Sequence, residues 1–231
     1  RYNIMNNSYL PHHLRREHNE VILGGELVQD EIKVALPTLE NPKPQEKPLM
    51  EKIDKLLLDI ENFPTKNPYK DKTRKTFVSK EGEKVMSMIF GKVRAYDKKE
   101  LVNSSITNSG KYAELEKCLR DLMKLHNPNF RYTTIQTNKS LETPWHYDKG
   151  NVGMSYLIAF GKFKGGGTVV KVRNNGDAFK YLGKIVKVSN RVENVKIDNK
   201  HSWLFFDGHN SYHKSAKSTG IRFAVVYYTK S

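Results

Sequence analysis

The second half of this chain does most to limit what it can fold into. From Phe130 onward, short runs rich in β-branched and aromatic residues follow one another at close spacing: Phe130–Thr137, Met154–Phe160, Thr168–Val172, Ile185–Val188, Val195–Ile197, Trp203–Phe206 and Arg222–Tyr228. Such residues suit a pleated, half-buried surface, and clusters of Gly and Asn separate the runs. Many short strands point to a barrel or a sandwich. The first half reads differently. Met50, Ile53, Leu57 and Ile60 recur at helical spacing, widened by Leu56 and Leu58, so a helix is expected over Leu49–Phe63, with Pro64 as its stop. A second helix is expected from about Lys111 to His126, its apolar face formed by Leu115, Leu119, Leu122 and Met123. Val85–Tyr96 reads as strand. Helices ahead of a strand-rich half make the fold class α+β, with the helices bracing one face of a sheet. Four prolines between Pro37 and Pro48 argue against regular structure there. The expected organisation is a basic, loosely structured extension over residues 1–45, followed by one domain over 46–231.

Composition narrows the function. Hydrophobic residues make up 37% of the chain, enough to bury a core. Lys and Arg number 40 against 25 Asp and Glu, a net charge of +15. Such a field attracts polyanions, and nucleic acid is the expected partner. The lysine- and arginine-dense stretch Lys66–Lys84 is either a phosphate-tracking loop or a solvated face. The lone cysteine, Cys118, excludes an intrachain disulfide and a cysteine zinc site, and it sits in an apolar helical pattern as a packing residue. No apolar run approaches the roughly 18 residues that span a bilayer, and no signal-peptide pattern opens the chain. A monomer with no membrane partner is expected inside the cell, in the nucleus of a eukaryote and otherwise in the cytoplasm.

The chemistry concentrates at Trp145-His146-Tyr147-Asp148. On an extended chain, residues i and i+2 point to the same side, so His146 and Asp148 can hold one metal while Tyr147 faces away as packing. His213 supplies a third ligand. Two His and one carboxylate on one face of an octahedron leave three positions open, the arrangement of non-haem iron(II) oxygenases, where a 2-oxo acid and dioxygen take those positions. Nine residues after His213 comes Arg222. With a turn at Lys217–Gly220, ligand and Arg would lie side by side on successive strands, and the guanidinium fork would grip a carboxylate. His209 competes with His213 as distal ligand but follows Asp207-Gly208 directly; it is read as a turn residue able to line the substrate pocket. Asn151 and Ser155 could reach substrate or co-substrate, or serve turn chemistry. Gly165-Gly166-Gly167 lacks the Lys-Ser/Thr of a phosphate loop and reads as a tight turn.

The stretches RYTTIQTNKS, PWHYDKGNVGMSYLIAFGKFKGGG and WLFFDGHNSYHKSAKSTGIRFAVVYY resemble the catalytic core of iron(II)/2-oxoglutarate dioxygenases. They are most similar to the branch containing the ten-eleven translocation (TET) enzymes and the base J-binding proteins (JBP). The resemblance covers about residues 130–231. It implies a distorted double-stranded β-helix, or jelly roll, and oxidation of the methyl group of 5-methylcytosine or thymine in DNA, with iron(II), 2-oxoglutarate and dioxygen consumed together. It makes His146, Asp148 and His213 the iron ligands and Arg222 the 2-oxoglutarate anchor, with Asn138 beside the co-substrate. Their positions in the chain put Ser155 within reach of the co-substrate and Asn151, His209 and Trp145 near the substrate. The chain lacks the cysteine-rich segment of the animal TET enzymes. Two other readings stay open: a prolyl or lysyl hydroxylase of the same superfamily, and a non-catalytic jelly roll that only binds nucleic acid.

Overall fold

The structure is a computed structural model that describes residues 22–23, 26–27, 37–66, 85–95, 100–172, 178–181, 184–187, 193–197 and 200–231. The chain divides into two units, residues 1–34 and 35–231. In the first, β1 (Ile22–Leu23) pairs with β2 (Glu26–Leu27) as a short antiparallel hairpin. His12, His13 and most of the Lys66–Lys84 stretch lie outside the described residues.

The second unit begins with β3 (Thr38–Glu40) and a 3-10 turn at Pro44–Glu46 that runs into α1 (Lys47–Leu58). The prolines at 37 and 42 bracket β3 rather than abolish it. The strand lies at the edge of its sheet, where a missing N–H costs least. The ordered body therefore starts before residue 46. Helix α1 buries Met50, Ile53 and Leu57, the stripe legible in the sequence, but it ends at Leu58. The chain then turns so that Phe63 enters the core against Phe223, ring centroids 5.7 Å apart. After β4 (Thr65–Lys66), β5 (Val85–Arg94) and β6 (Leu101–Asn103) comes a short helix, α2 (Ser105–Ser109), absent from the sequence reading. Ser104 caps it by accepting from the Thr107 amide (3.1 Å), and Gly110 closes it in the left-handed region. Helix α3 (Ala113–His126) carries Glu114 and Glu116 in its first turn and Lys124 and His126 in its last, matching the helix dipole.

The remaining strands are β7 (Thr134–Lys139), β8 (Asn151–Gly165), β9 (Thr168–Val172), β10 (Ala178–Tyr181), β11 (Lys184–Lys187), β12 (Glu193–Ile197), β13 (Trp203–Phe206), β14 (His213–Ser215) and β15 (Ser218–Lys230). The large sheet has the order β3-β13-β8-β15-β7-β5-β4, with β6 added to β5; a smaller sheet has the order β12-β9-β14. All these pairings are antiparallel. From β8 the chain passes to the small sheet at β9 and β12, back at β13, across again at β14 and back at β15. This winding between two layers is the jelly-roll, double-stranded β-helix fold.

Side chains alternate across the large sheet as the two-residue period requires. Phe90, Ile135, Ile158, Phe160, Phe223, Val225 and Tyr227 face the helices and form one core with α1 and α3. On the other face, Leu157, Leu204 and Phe206 meet Val170 of β9. One sequence expectation fails here. β14 pairs with β9 and β15 pairs with β8, so His213 and Arg222 belong to different sheets rather than to neighbouring strands. The two-residue link at Ala216–Lys217 is a crossover between layers.

A polar cluster pins the start of the unit to α3. The Nδ1 of His126 lies 3.0 Å from Glu46 and its Nε2 2.8 Å from Glu40, and the Trp203 indole N–H donates to Glu46 at 2.9 Å. Glu46 is 0% exposed, and the His126 ring stacks on Trp203 at 4.4 Å.

Candidate metal centre

His146 sits just outside regular strand structure. It forms an isolated antiparallel bridge with His213, their backbones exchanging hydrogen bonds of 2.9 and 3.0 Å. This bridge brings the two rings to the interior side, centroids 4.3 Å apart. The Nδ1–H of His146 donates to the Pro144 carbonyl (2.8 Å), and that of His213 donates to the Ser211 carbonyl (2.7 Å). Both contacts leave Nε2 as the lone-pair nitrogen. Each Nε2 lies 3.6 Å from a different oxygen of Asp148. The three ligand atoms are all within 4.8 Å of one another.

Asp148 is held in turn. Its amide donates to the Gly208 carbonyl (2.9 Å), its carbonyl accepts from the Asn151 amide (2.9 Å), and the Asn151 side-chain amide points at its Oδ2 (3.4 Å). A Cβ on Gly208 would sit 2.9 Å from that same Oδ2, so only glycine leaves the carboxylate its place. Asp207, through the Asn210 amide (3.1 Å) and side chain (2.8 Å), shapes the turn that presents Gly208.

The ligands respond to this setting in opposite directions. Burial, aided by repulsion from His213, holds His146 below the ordinary imidazole value. Burial presses His213 the same way, but its hydrogen bond to Asp148, the charge of that carboxylate and the Ser211 carbonyl together raise it. A carboxylate between two imidazoles, with both Nε2 atoms aimed at it, is a donor set suited to a divalent first-row metal.

The triad opens on a cavity of about 940 Å³. Leu157, Phe206, Ala224 and Val226 give it an apolar floor, and Asn138 and Asn151 also line it. The Asn138 Oδ1 accepts from Gln136 at 3.0 Å. Thr168 lines it too. The residue is 2% exposed and its hydroxyl makes no hydrogen bond among the described residues, an orphaned donor in the cavity wall that sequence reading missed. The other overlooked group is basic. Lys92 and Arg94 of β5, Lys149, and Lys230 of β15 all line the cavity, where Asp148 is the sole acidic residue among the described lining. The Lys230 ammonium donates to the Gly150 carbonyl (3.1 Å), and burial and repulsion from Arg94 lower its pKa.

Other candidates fall elsewhere. Arg222 lies on the same face of β15 as Ala224 but two residues further along. It is 3% exposed, its guanidinium is 5.7 Å from the Phe163 ring centre, and it is not among the cavity's described lining residues. Gly166 makes room for it: a Cβ there would come within 3.2 Å of the Arg222 Cδ. Gly165, Gly166 and Gly167 all have positive φ, as a tight turn requires. Ser155 is fully buried opposite Phe206 and also lies outside the cavity lining. The His209 ring is outside the three-residue cluster, its Nδ1 buried without a hydrogen bond among the described residues. His201 is half-buried and pairs with Asp54. Trp145 stacks on Tyr212 (5.3 Å) rather than on the cavity wall, with Lys214 over its ring. Tyr147, expected to be packing alone, stacks on the other side of Tyr212 (4.9 Å) and also lines the cavity. Burial and the neighbouring Tyr212 push the Tyr147 phenol up to about 12.

No known family profile matches the sequence, and no curated protein matches it. Among solved structures, the chain is similar to NgTET1 in complex with 5mC DNA, at 13% identity over 82% of this chain and 69% of that one, with a TM-score of 0.41. It is also similar to a prolyl hydroxylase from Trichoplax adhaerens in complex with a hypoxia inducible factor peptide fragment, at 13% identity over 84% of this chain and 83% of that one, with a TM-score of 0.43.

Proposed function

We propose that this chain is an iron(II)- and 2-oxoglutarate-dependent dioxygenase that hydroxylates the methyl group of a pyrimidine base, 5-methylcytosine or thymine, in DNA. The observation that carries the reading is the convergence of two imidazole Nε2 atoms and the Asp148 carboxylate on one point of a deep cavity inside a jelly roll. His146, Asp148 and His213 would hold the iron on one face. When bound, the iron with 2-oxoglutarate and dioxygen supplies oxidising power for an unactivated C–H bond, 2-oxoglutarate leaving as succinate and carbon dioxide.

The chain's own contribution is positioning. The carbonyls of Pro144 and Ser211 fix both imidazole tautomers, and Asn151 steadies the carboxylate. Arg222 offers a planar fork for the far carboxylate of 2-oxoglutarate, and the unsatisfied Thr168 hydroxyl can donate to the same anion. Leu157, Phe206 and Val226 keep the reacting centre dry. A stacked base cannot enter such a cavity, so the target nucleotide leaves the duplex or is already single-stranded. The net charge of +15 and the basic cavity wall favour a polyanion.

The test is anaerobic loading with iron(II) and 2-oxoglutarate, exposure to oxygen with DNA containing thymine and 5-methylcytosine, and mass spectrometry of the nucleosides. Hydroxymethylated bases formed by the intact protein and not by His146→Ala support the reading. Succinate without a modified base retains the oxygenase and moves the substrate to RNA or protein.

A further inference from the structure

Two kinds of side chain line the cavity. Lys92, Arg94, Lys149 and Lys230 come from a strand of the large sheet, a loop and the last strand, and they gather at the end of β15 opposite Arg222. Arg222 and Lys230 are eight residues apart on one strand, about 26 Å. The cavity thus has a basic end well separated from the arginine that would anchor a co-substrate. Tyr147 lines the same cavity and is joined to Lys149 through Asp148. Its ring continues a column in which Tyr212 is stacked between Trp145 and Tyr147, interplanar angles 21° and 27°. Column and cations adjoin through the chain itself, since Tyr147 and Lys149 flank the metal ligand Asp148.

Cations alone would serve any polyanion. A flat aromatic face next to them is what a nucleotide strand uses, phosphates on the charges and a base on the ring. We propose that Tyr147 with Lys92, Arg94, Lys149 and Lys230 forms a binding surface for single-stranded nucleic acid: the base next to the metal centre stacks on Tyr147 while flanking phosphates cross the four cations. This deepens the base-oxygenase reading and rests on it for what happens to the bound base, but binding itself needs neither metal nor turnover. The surface also separates functional from incidental charge. Lys162 and Lys164 are exposed at the other end of β8, away from the triad, and carry no such role.

The experiment is fluorescence anisotropy of a labelled single-stranded DNA oligonucleotide with metal-free protein over a series of salt concentrations, so that its failure is distinct from a failure of the oxidation chemistry. Lys92→Gln/Arg94→Gln is expected to weaken binding at least about ten-fold and to reduce the salt slope by about 1.4, at roughly 0.7 per lost phosphate contact. Tyr147→Ala is expected to weaken binding by about ten-fold at an unchanged slope, with Tyr147→Phe close to the parent because stacking needs the ring and not the hydroxyl. Lys162→Gln/Lys164→Gln is expected to leave affinity and slope as they are. Melting curves of each variant establish folding, and the Phe variant reports on the ring should the Ala variant unfold. Equal losses from the two double variants, no effect of Tyr147→Ala in a folded protein, or equal affinity for an acidic peptide of matched charge would each overturn the proposal.

Discussion

Replacing Glu46 by Ala should cost far more stability than its position before the first helix suggests. The carboxylate is completely buried and accepts from the Trp203 indole at 2.9 Å while facing His126 Nδ1 at 3.0 Å. Truncation leaves both nitrogens in an apolar setting that water does not reach, with the His126 ring held between Trp203 (4.4 Å) and Tyr156 (5.2 Å). Leaving a buried donor without its acceptor costs about 1–3 kcal/mol, so the two nitrogens together cost about 2–6 kcal/mol. A domain of this size loses about 2–4 °C of melting temperature per kcal/mol, so the predicted drop is about 4–24 °C. Urea denaturation followed by tryptophan fluorescence measures the free energy, and calorimetry measures the melting temperature. Combining Glu46→Met with His126→Phe should cost less than the two single losses added together, since the pair is then removed as a unit. A loss below about 1 kcal/mol for Glu46→Ala, the range of exposed pairs, would refute the reasoning.

Gly208→Ala is expected to lower iron(II) affinity by about 10- to 100-fold with little change in melting temperature, because its Cβ would press on Asp148 Oδ2 at 2.9 Å; calorimetric metal titration reads the effect. Arg222→Ala should raise the KM for 2-oxoglutarate by at least about ten-fold while leaving metal binding intact, as loss of a charge-assisted fork predicts. Burial and the neighbouring Tyr212 push the Tyr147 phenol up to about 12 from an ordinary 10, which favours its neutral form in the folded state. The corresponding stability is fully present below pH 10 and is lost as pH rises through 12. Ultraviolet titration of Tyr147→Phe should lack one phenolate step near the upper end of that window.

The sequence showed the strand-rich half and the helical stripes because both depend on local periodicity: Met50, Ile53 and Leu57, or Trp203–Phe206, carry their burial pattern in their spacing. It also showed His146 and Asp148, since two residues on an extended chain need no tertiary knowledge to face one way. What escaped it depends on pairing between distant segments. The assignment of His213 and Arg222 to separate sheets follows from the ladder partners Val170 and Gly161, far away in sequence. The basic wall joins Lys92 to Lys230 across more than half of the chain. Alternation alone places Tyr147 opposite the ligands but does not show that its ring stacks on Tyr212 and lines the cavity. Gly208 had a weak signal, as glycine after Asp207 reads as turn chemistry, and its closeness to Asp148 appears only in three dimensions.

The measurement that bears most directly on the central claim is succinate formation from 2-oxoglutarate by the purified protein, with iron(II) added or chelated, for the parent and for Asp148→Ala. The account predicts succinate that depends on iron and oxygen, with loss of at least about a hundred-fold in the variant. Stoichiometric loading followed by equal, background-level succinate from both proteins, with and without DNA, would contradict it.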